Sequence, residues 1–191
     1  MRAAWRQGTL RAGPTPPAGQ VVKVGGSLLG LYAWPERLAE LLADISTPLV
    51  VVGGGSVVEG LRQIDQVSPR PPALMHDLAI DAMSLTARIV ADALGLPVVG
   101  TASGSGVLDA AAWLRATGHA TRLPVGWHVT SDSIAALVAT ETNRGLLLAK
   151  RAPPPEGDHD LERLAAAGWV DAHFPAAAAT VATISWSALA E

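Results

Sequence analysis

Cysteine is absent from the 191 residues, which excludes a disulfide framework, a thiolate metal site and a cysteine nucleophile. Lysine is nearly absent: Lys23 and Lys150 stand alone against twelve arginines. Tyr32 and Phe174 are single representatives of their types, beside six tryptophans. Charge is sparse, with 16% charged residues and a formal net charge of -3. That balance lacks the basic surplus of a nucleic-acid binder. No apolar run approaches the ~20 residues that span a bilayer, so no membrane partner is expected. What is plentiful is apolar content, 49% of residues, enough for a real core in one domain.

The first nineteen residues show no hydrophobic periodicity. They contain Gly13-Pro14-Thr15-Pro16-Pro17 and lack the apolar stretch of a secretory signal. They read as a flexible arm ahead of a single domain over residues 20–191, in a protein expected in the cytoplasm. From Val21 onward, short β-branched runs alternate with helical segments. Val21–Val24, Pro48–Val52, Pro97–Gly100, Leu146–Ala149 and Val181–Trp186 read as strands. Helices are expected at Trp34–Ile45, from a cap at Ser56 to Gln66, over Ala73–Leu94, Leu108–Thr117, from Thr130 or Ser131 to Asn143, and over Asp160–Ala167. In the longest of them, Met75, Leu78, Ala82, Leu85 and Ile89 repeat at helical spacing. This alternation predicts an α/β sandwich with a mainly parallel sheet, whose ligands bind at the C-terminal ends of strands.

Two glycine clusters end two strands, Gly25-Gly26-Ser27 and Gly53-Gly54-Gly55-Ser56. Consecutive glycines let backbone approach a ligand, and a helix start just beyond adds partial positive charge. One such cluster is explained by a tight turn; two together favour a phosphate cradle. No P-loop lysine follows a glycine, and Val58 replaces the third glycine of a dinucleotide fingerprint. Lys23 lies among valines, where an ammonium is costly unless it reaches a partner at the strand end; the alternative is a side chain snorkelling to solvent. Asp132 opens a helix, either as part of a cap or near phosphates, where a carboxylate orients lysines or holds Mg²⁺. His76 and Asp77 are about 100° apart on their helix and make a poor chelating pair, and the metal ligands stay unknown.

In order, Val22-Lys23-Val24-Gly25-Gly26-Ser27-Leu28, Val50-Val51-Val52-Gly53-Gly54-Gly55 and Thr130-Ser131-Asp132-Ser133-Ile134-Ala135 resemble the motifs of the amino acid kinase superfamily. Four further stretches resemble its [5-(aminomethyl)furan-3-yl]methyl phosphate kinase branch: Arg62–Asp65, His76–Met83, Trp127–Ala135 and Val170–Pro175. The resemblance implies a three-layer α/β/α fold and a kinase using ATP and Mg²⁺ on a phosphate or carboxylate acceptor, with an aminomethylfuran phosphate of methanofuran-type cofactor synthesis as the specific expectation. Lys23 would then stabilise the transferring phosphoryl group, and Gly25, Gly26 and Ser27 would hold ATP phosphates. Gly53, Gly54, Gly55 and Arg62 would face the acceptor, and Asp132 would orient lysine and act on metal through water. Partners implied are a small-molecule substrate and a second copy of the chain, with the long helix around Met83 as the contact.

Two departures accompany the resemblance. Where the family usually reads Thr-Asp-Val-Asp-Gly, this chain has Ala149-Lys150-Arg151-Ala152-Pro153. The part after Trp186 is short, so a trimmed C-terminal nucleotide lobe is expected. The usual second catalytic lysine is not in its loop, and Lys150 is the candidate replacement; a solvent-facing strand end is the alternative. These departures keep open a second expectation, a non-catalytic nucleotide- or anion-binding protein of storage or regulatory type.

Overall fold

The computed structural model describes residues 5–14, 18–157 and 160–189. Its strands are β1 (Trp5–Arg11), β2 (Gln20–Val24), β3 (Leu49–Val52), β4 (Val98–Val99), β5 (Gly106–Leu108), β6 (Gly145–Lys150) and β7 (Ile184–Leu189). They form one sheet in the order β1-β7-β6-β2-β3-β5-β4. All neighbours run parallel except β1, which pairs antiparallel with β7. The helices are α1 (Trp34–Leu42), α2 (Gly55–Val67), α3 (Pro72–Leu94), α4 (Ala110–Thr117), α5 (Ser131–Thr142), α6 (Leu161–Ala166) and α7 (Phe174–Ala177). A 3-10 turn, Gly26–Gly30, follows β2.

The layers follow from the strand sequences. β2 and β3 are valine-rich, and every residue of β3 is buried, as expected of central parallel strands covered on both faces. Successive residues alternate between two cores. Val21 and Val51 pack with α4, α5 and α7, while Val22, Val50 and Val52 pack with α1 and the C-terminal half of α3. The expected α/β/α sandwich is therefore present, and β2 lies at its centre between β3 and β6.

Three expectations are corrected. The first nineteen residues are not a featureless arm, because residues 5–11 form β1; residues 1–4 and 15–17 lie outside the described residues. β1 is held by non-local features: Gly8 lies so close under the Trp186 indole that a Cβ would come within 2.6 Å of it. Arg11 donates to the carbonyls of Ala178 and Val181, and Trp5 Nε1 donates to the Arg37 carbonyl at 3.1 Å. Second, the apolar series on α3 is only in part its buried face. Of that series Met75 and Ala82 are buried, but Leu78, Leu85 and Ile89 are exposed, and the rest of the burial falls on Ile80, Met83, Ala87 and Val90. α3 packs into both cores along its length, so its buried face is not a single stripe. Third, Ser56 does not cap α2: Gly54 occupies the cap position, and no side-chain cap bond is present there among the described residues.

Candidate active site

The C-terminal ends of β2, β3 and β6 lie side by side, with Val24 paired to Val52 on one side and Ala149 on the other. The two glycine clusters continue from the first two ends. A Cβ on Gly26 would stand 2.2 Å from the Gly55 nitrogen and 2.7 Å from the Gly53 carbonyl. The turns thus touch backbone to backbone, a packing only glycine permits, and Gly55 takes a left-handed φ of 54°. Their N–H groups divide into two sets. Gly25 N–H is committed to the Ala149 carbonyl and Gly53 N–H to the Val24 carbonyl, both at 2.9 Å. The donors still without a backbone partner among the described residues belong to Gly26, Ser27, Gly54, Gly55 and Ser56. The Gly25 N–H, expected on a phosphate, is here taken up in locking the turn onto β6.

Lys23 is buried, with 5% exposure. Its Nζ lies 2.7 Å from Asp132 Oδ1, and Lys150 Nζ lies 2.8 Å from Asp132 Oδ2. The Lys23 contact is a charge pair without hydrogen-bond alignment, whereas Lys150 donates a full hydrogen bond. Neither lysine snorkels to solvent; the Lys150 side chain is 13% exposed. Burial alone pushes the Asp132 carboxyl up, but the charges of Lys23 and then Lys150 outweigh it and hold the pKa at about 2. For Lys150, burial and then repulsion from Lys23 lower the pKa to about 8, against the opposing pull of Asp132 and Asp171.

Asp132 reaches this point because α5 starts there. Thr130 is the N-cap, its hydroxyl accepting from Asp132 N–H at 3.4 Å. The stronger hold comes from Asp171, whose Oδ2 accepts from the Thr130 and Ser133 N–H groups at 3.0 and 2.9 Å. Trp169 gives its carbonyl and ring to Lys150. Neither residue was singled out by spacing in the sequence, because their partners lie 19 to 41 positions away.

Asp132, Lys150, Thr130, Trp169 and Asp171 line a cavity of about 600 Å³ that also receives Gly26, Ser27, Gly53, Gly54 and Gly55. Its other end lies between α2, α3 and the segment before α5. There Arg62 sits 5.2 Å over the Trp127 ring and 3.5 Å from Glu59. Trp127 Nε1 donates to Asp65 Oδ2 at 2.8 Å, which fixes the indole. The same bond, ahead of one from Arg70 N–H, lowers the Asp65 pKa. Buried His76 also lines this end, its Nδ1 accepting from Gly126 N–H at 3.4 Å. The structure thus brings Asp132, Lys150, Gly26, Ser27, Gly53, Gly54, Gly55 and Arg62 to one cavity; Lys23 and Gly25 are not part of its lining, and Lys23 is tied to it through its pair with Asp132. No cluster of three metal-ligating side chains occurs among the described residues.

A family model described as the amino acid kinase family matches residues 19–150. A search of curated proteins gave no significant match. Among solved structures, the chain is similar to the crystal structure of uridylate kinase from Archaeoglobus fulgidus. The TM-score is 0.61 at 16% identity, over 91% of this chain and 91% of that one.

Proposed function

The chain belongs to the amino acid kinase family, and we propose that it transfers the γ-phosphoryl group of ATP to a phosphate or carboxylate oxygen of a small acceptor. The observation that carries this reading is Asp132, buried between two lysine ammonium groups where two glycine turns meet. Phosphoryl transfer asks little of a protein beyond positioning and positive charge along the reaction line. In the reaction the acceptor oxygen bonds to the γ-phosphorus as its bond to the β-phosphate oxygen breaks, and ADP leaves. Asp132 keeps the two ammonium groups close despite their repulsion. Lys23 and Lys150 then offer charge to the moving phosphoryl oxygens, and the N–H groups of Gly26, Gly54 and Gly55 supply directed donors.

The polyphosphate suits this cradle, because the Lys150 ammonium and the backbone of both glycine turns line it, with Lys23 paired to Asp132 beside it. Mg²⁺ suits it only as a passenger on the phosphates, neutralising their charge, since Asp132 faces an ammonium with each oxygen and no carboxylate cluster stands by among the described residues.

For the acceptor, the proposal is an aminomethylfuran phosphate in one-carbon cofactor synthesis, a cytoplasmic reaction. It is supported by the convergence of Arg62, His76, Trp127 and Asp171, one from each branch-like stretch, on a single cavity. Arg62 would take the acceptor's anion, and Trp127 offers a flat wall to a ring. A pair of chains is proposed as the working unit, because Leu74, Leu85 and Ile89 of α3 are about half exposed, at 47%, 51% and 54%. No helix among the described residues is long and apolar enough to cross a membrane.

The test is calorimetry with ATP and Mg²⁺, followed by a turnover assay across phosphorylated and carboxylated acceptors. Binding followed by transfer to one acceptor supports the kinase. Tight ATP binding with no transfer to any acceptor supports instead a non-catalytic nucleotide-binding protein, the reading favoured by the altered loop after Leu148. Absence of ATP binding removes both.

A further inference from the structure

Lys150 ends β6, and nothing in its own strand aims its side chain. The aim comes from a segment 18 to 21 residues downstream. The turn after α6 is made by Gly168, with a left-handed φ of 70°, and Trp169 N–H bonds back to the Leu164 carbonyl at 2.9 Å. This delivers the Trp169 carbonyl to Lys150 Nζ at 2.5 Å and places the indole centroid 4.8 Å from the same ammonium. The indole N–H meanwhile donates to the Ala152 carbonyl at 3.0 Å. One residue therefore grips the lysine and the chain just after it.

Two positions further on, Asp171 does the corresponding work for Asp132. Its carboxylate accepts five hydrogen bonds: from the N–H and hydroxyl of Thr130, the N–H and hydroxyl of Ser133, and the N–H of His173. The first turn of α5 leaves N–H groups that intrahelical bonds cannot satisfy, and this distant carboxylate satisfies two of the N–H groups at that helix start. Asp132 lies between Thr130 and Ser133, so its position along the sheet edge is set by Asp171.

We infer that Gly168–Asp171 is a positioning strap for the Lys150–Asp132 pair, with Trp169 aiming the ammonium and Asp171 setting the helix start that carries its partner. A lysine ammonium has three hydrogens. Asp132 and the Trp169 carbonyl take two of them. One is left for an anionic oxygen in the cavity, so the strap turns a flexible cation into a single directed donor. It supplies locally what the family's usual loop does not supply in this chain. The ionisable groups acting on Lys150 are Lys23 from β2, Asp132 from α5 and Asp171 from the strap. The catalytic use of the strap rests on the kinase reading; its grip on Lys150 does not.

Because the chain has only two lysines, uniformly ¹⁵N-lysine-labelled protein gives two side-chain ammonium signals, assigned with Lys150→Arg. The wild-type Lys150 signal is expected to titrate near pH 8 and to exchange slowly with water. Asp171→Asn removes a charge that favours the ammonium, so its midpoint moves to lower pH. Trp169→Leu keeps the backbone carbonyl but removes the ring that covers the ammonium and speeds its exchange at least tenfold, while Trp169→Phe, which keeps an aromatic ring there, restores slow exchange. If Asp171→Asn does not fold, the two Trp169 variants decide alone. An unmoved midpoint in folded Asp171→Asn, or unchanged exchange in Trp169→Leu, overturns the strap. Signals that move as expected in a protein that transfers no phosphoryl group remove the kinase reading and leave the strap standing. Turnover with kcat reduced tenfold or more in Trp169→Leu, at an ATP KM within threefold of wild type, joins the two.

Discussion

Lys150 Nζ stands 2.8 Å from Asp132 Oδ2, and Asp132 turns its other oxygen to Lys23 at 2.7 Å. The only two lysines of the chain meet on one carboxylate. Arginine, used everywhere else, is a planar fork with fixed donor geometry, whereas an ammonium is a compact charge that fits a narrow cradle.

The first prediction concerns pH. Burial lowers the Lys150 pKa to about 8, so the ammonium is present below that value and is lost above it. If its charge is needed, kcat falls as pH rises through about 8. Lys150→Arg stays charged at every accessible pH, so it should run more slowly and lose this alkaline limb. A pH–rate profile of both proteins checks this.

Acid stability follows from Asp132. Its folded pKa of about 2 lies below the ordinary value of 3.8, so its pairing stabilises the fold above pH 4. That contribution is lost as pH falls from about 4 through about 2. The shift corresponds to roughly 2 kcal/mol. Asp132→Asn should flatten this part of the acid-unfolding curve, and it should also be less stable at pH 7, because two buried ammonium groups lose their counter-charge. Urea unfolding at pH 7 and pH 3 measures both effects.

Gly26→Ala tests the glycine contact. The new methyl would meet the Gly55 nitrogen at 2.2 Å, which forces the two turns apart. Overpacking of this kind costs about 1–3 kcal/mol. ATP affinity should fall at least tenfold in calorimetry, while the far-UV spectrum of the sheet is retained. By contrast, Gly60→Ala, on α2 with nothing within 4 Å of the new atom, should bind ATP as the wild type does.

At the acceptor end, Trp127→Leu removes the wall on which Arg62 rests and the bond to Asp65. The acceptor KM should rise roughly tenfold, about the effect of losing one stacking or hydrogen-bonding contact. The ATP KM should stay within a factor of two. A shift in both constants would place Trp127 on the nucleotide side instead.

The central strands and the two glycine turns were legible because each signal is local: a β-branched run ending in consecutive glycines. Lys23 was legible for a different reason, since an ammonium among valines needs a partner. Lys150 was found only as a leftover cation, and its partner could not be read from spacing. The rest depends on contacts between distant residues. β1 has a half-polar sequence and becomes a strand through β7, more than 170 positions away. On α3 the apolar residues surround the helix, so periodicity selected Leu78, Leu85 and Ile89 while packing buried Ile80, Met83 and Val90. Asp171 caps a helix that begins 40 residues before it, and a capping search near Thr130 does not reach it. His76 has no chelating partner at helical spacing, and its place beside Trp127 and Arg62 depends on the cavity that brings α2, α3 and the segment before α5 together.

The most direct measurement follows ³¹P signals of ATP during incubation with the acceptor panel, for wild type, Lys23→Ala and Lys150→Ala in parallel. The account predicts ADP and one phosphorylated acceptor from wild type, formed on the order of 10²–10³ times more slowly by each variant. Equal turnover by wild type and Lys150→Ala would contradict it.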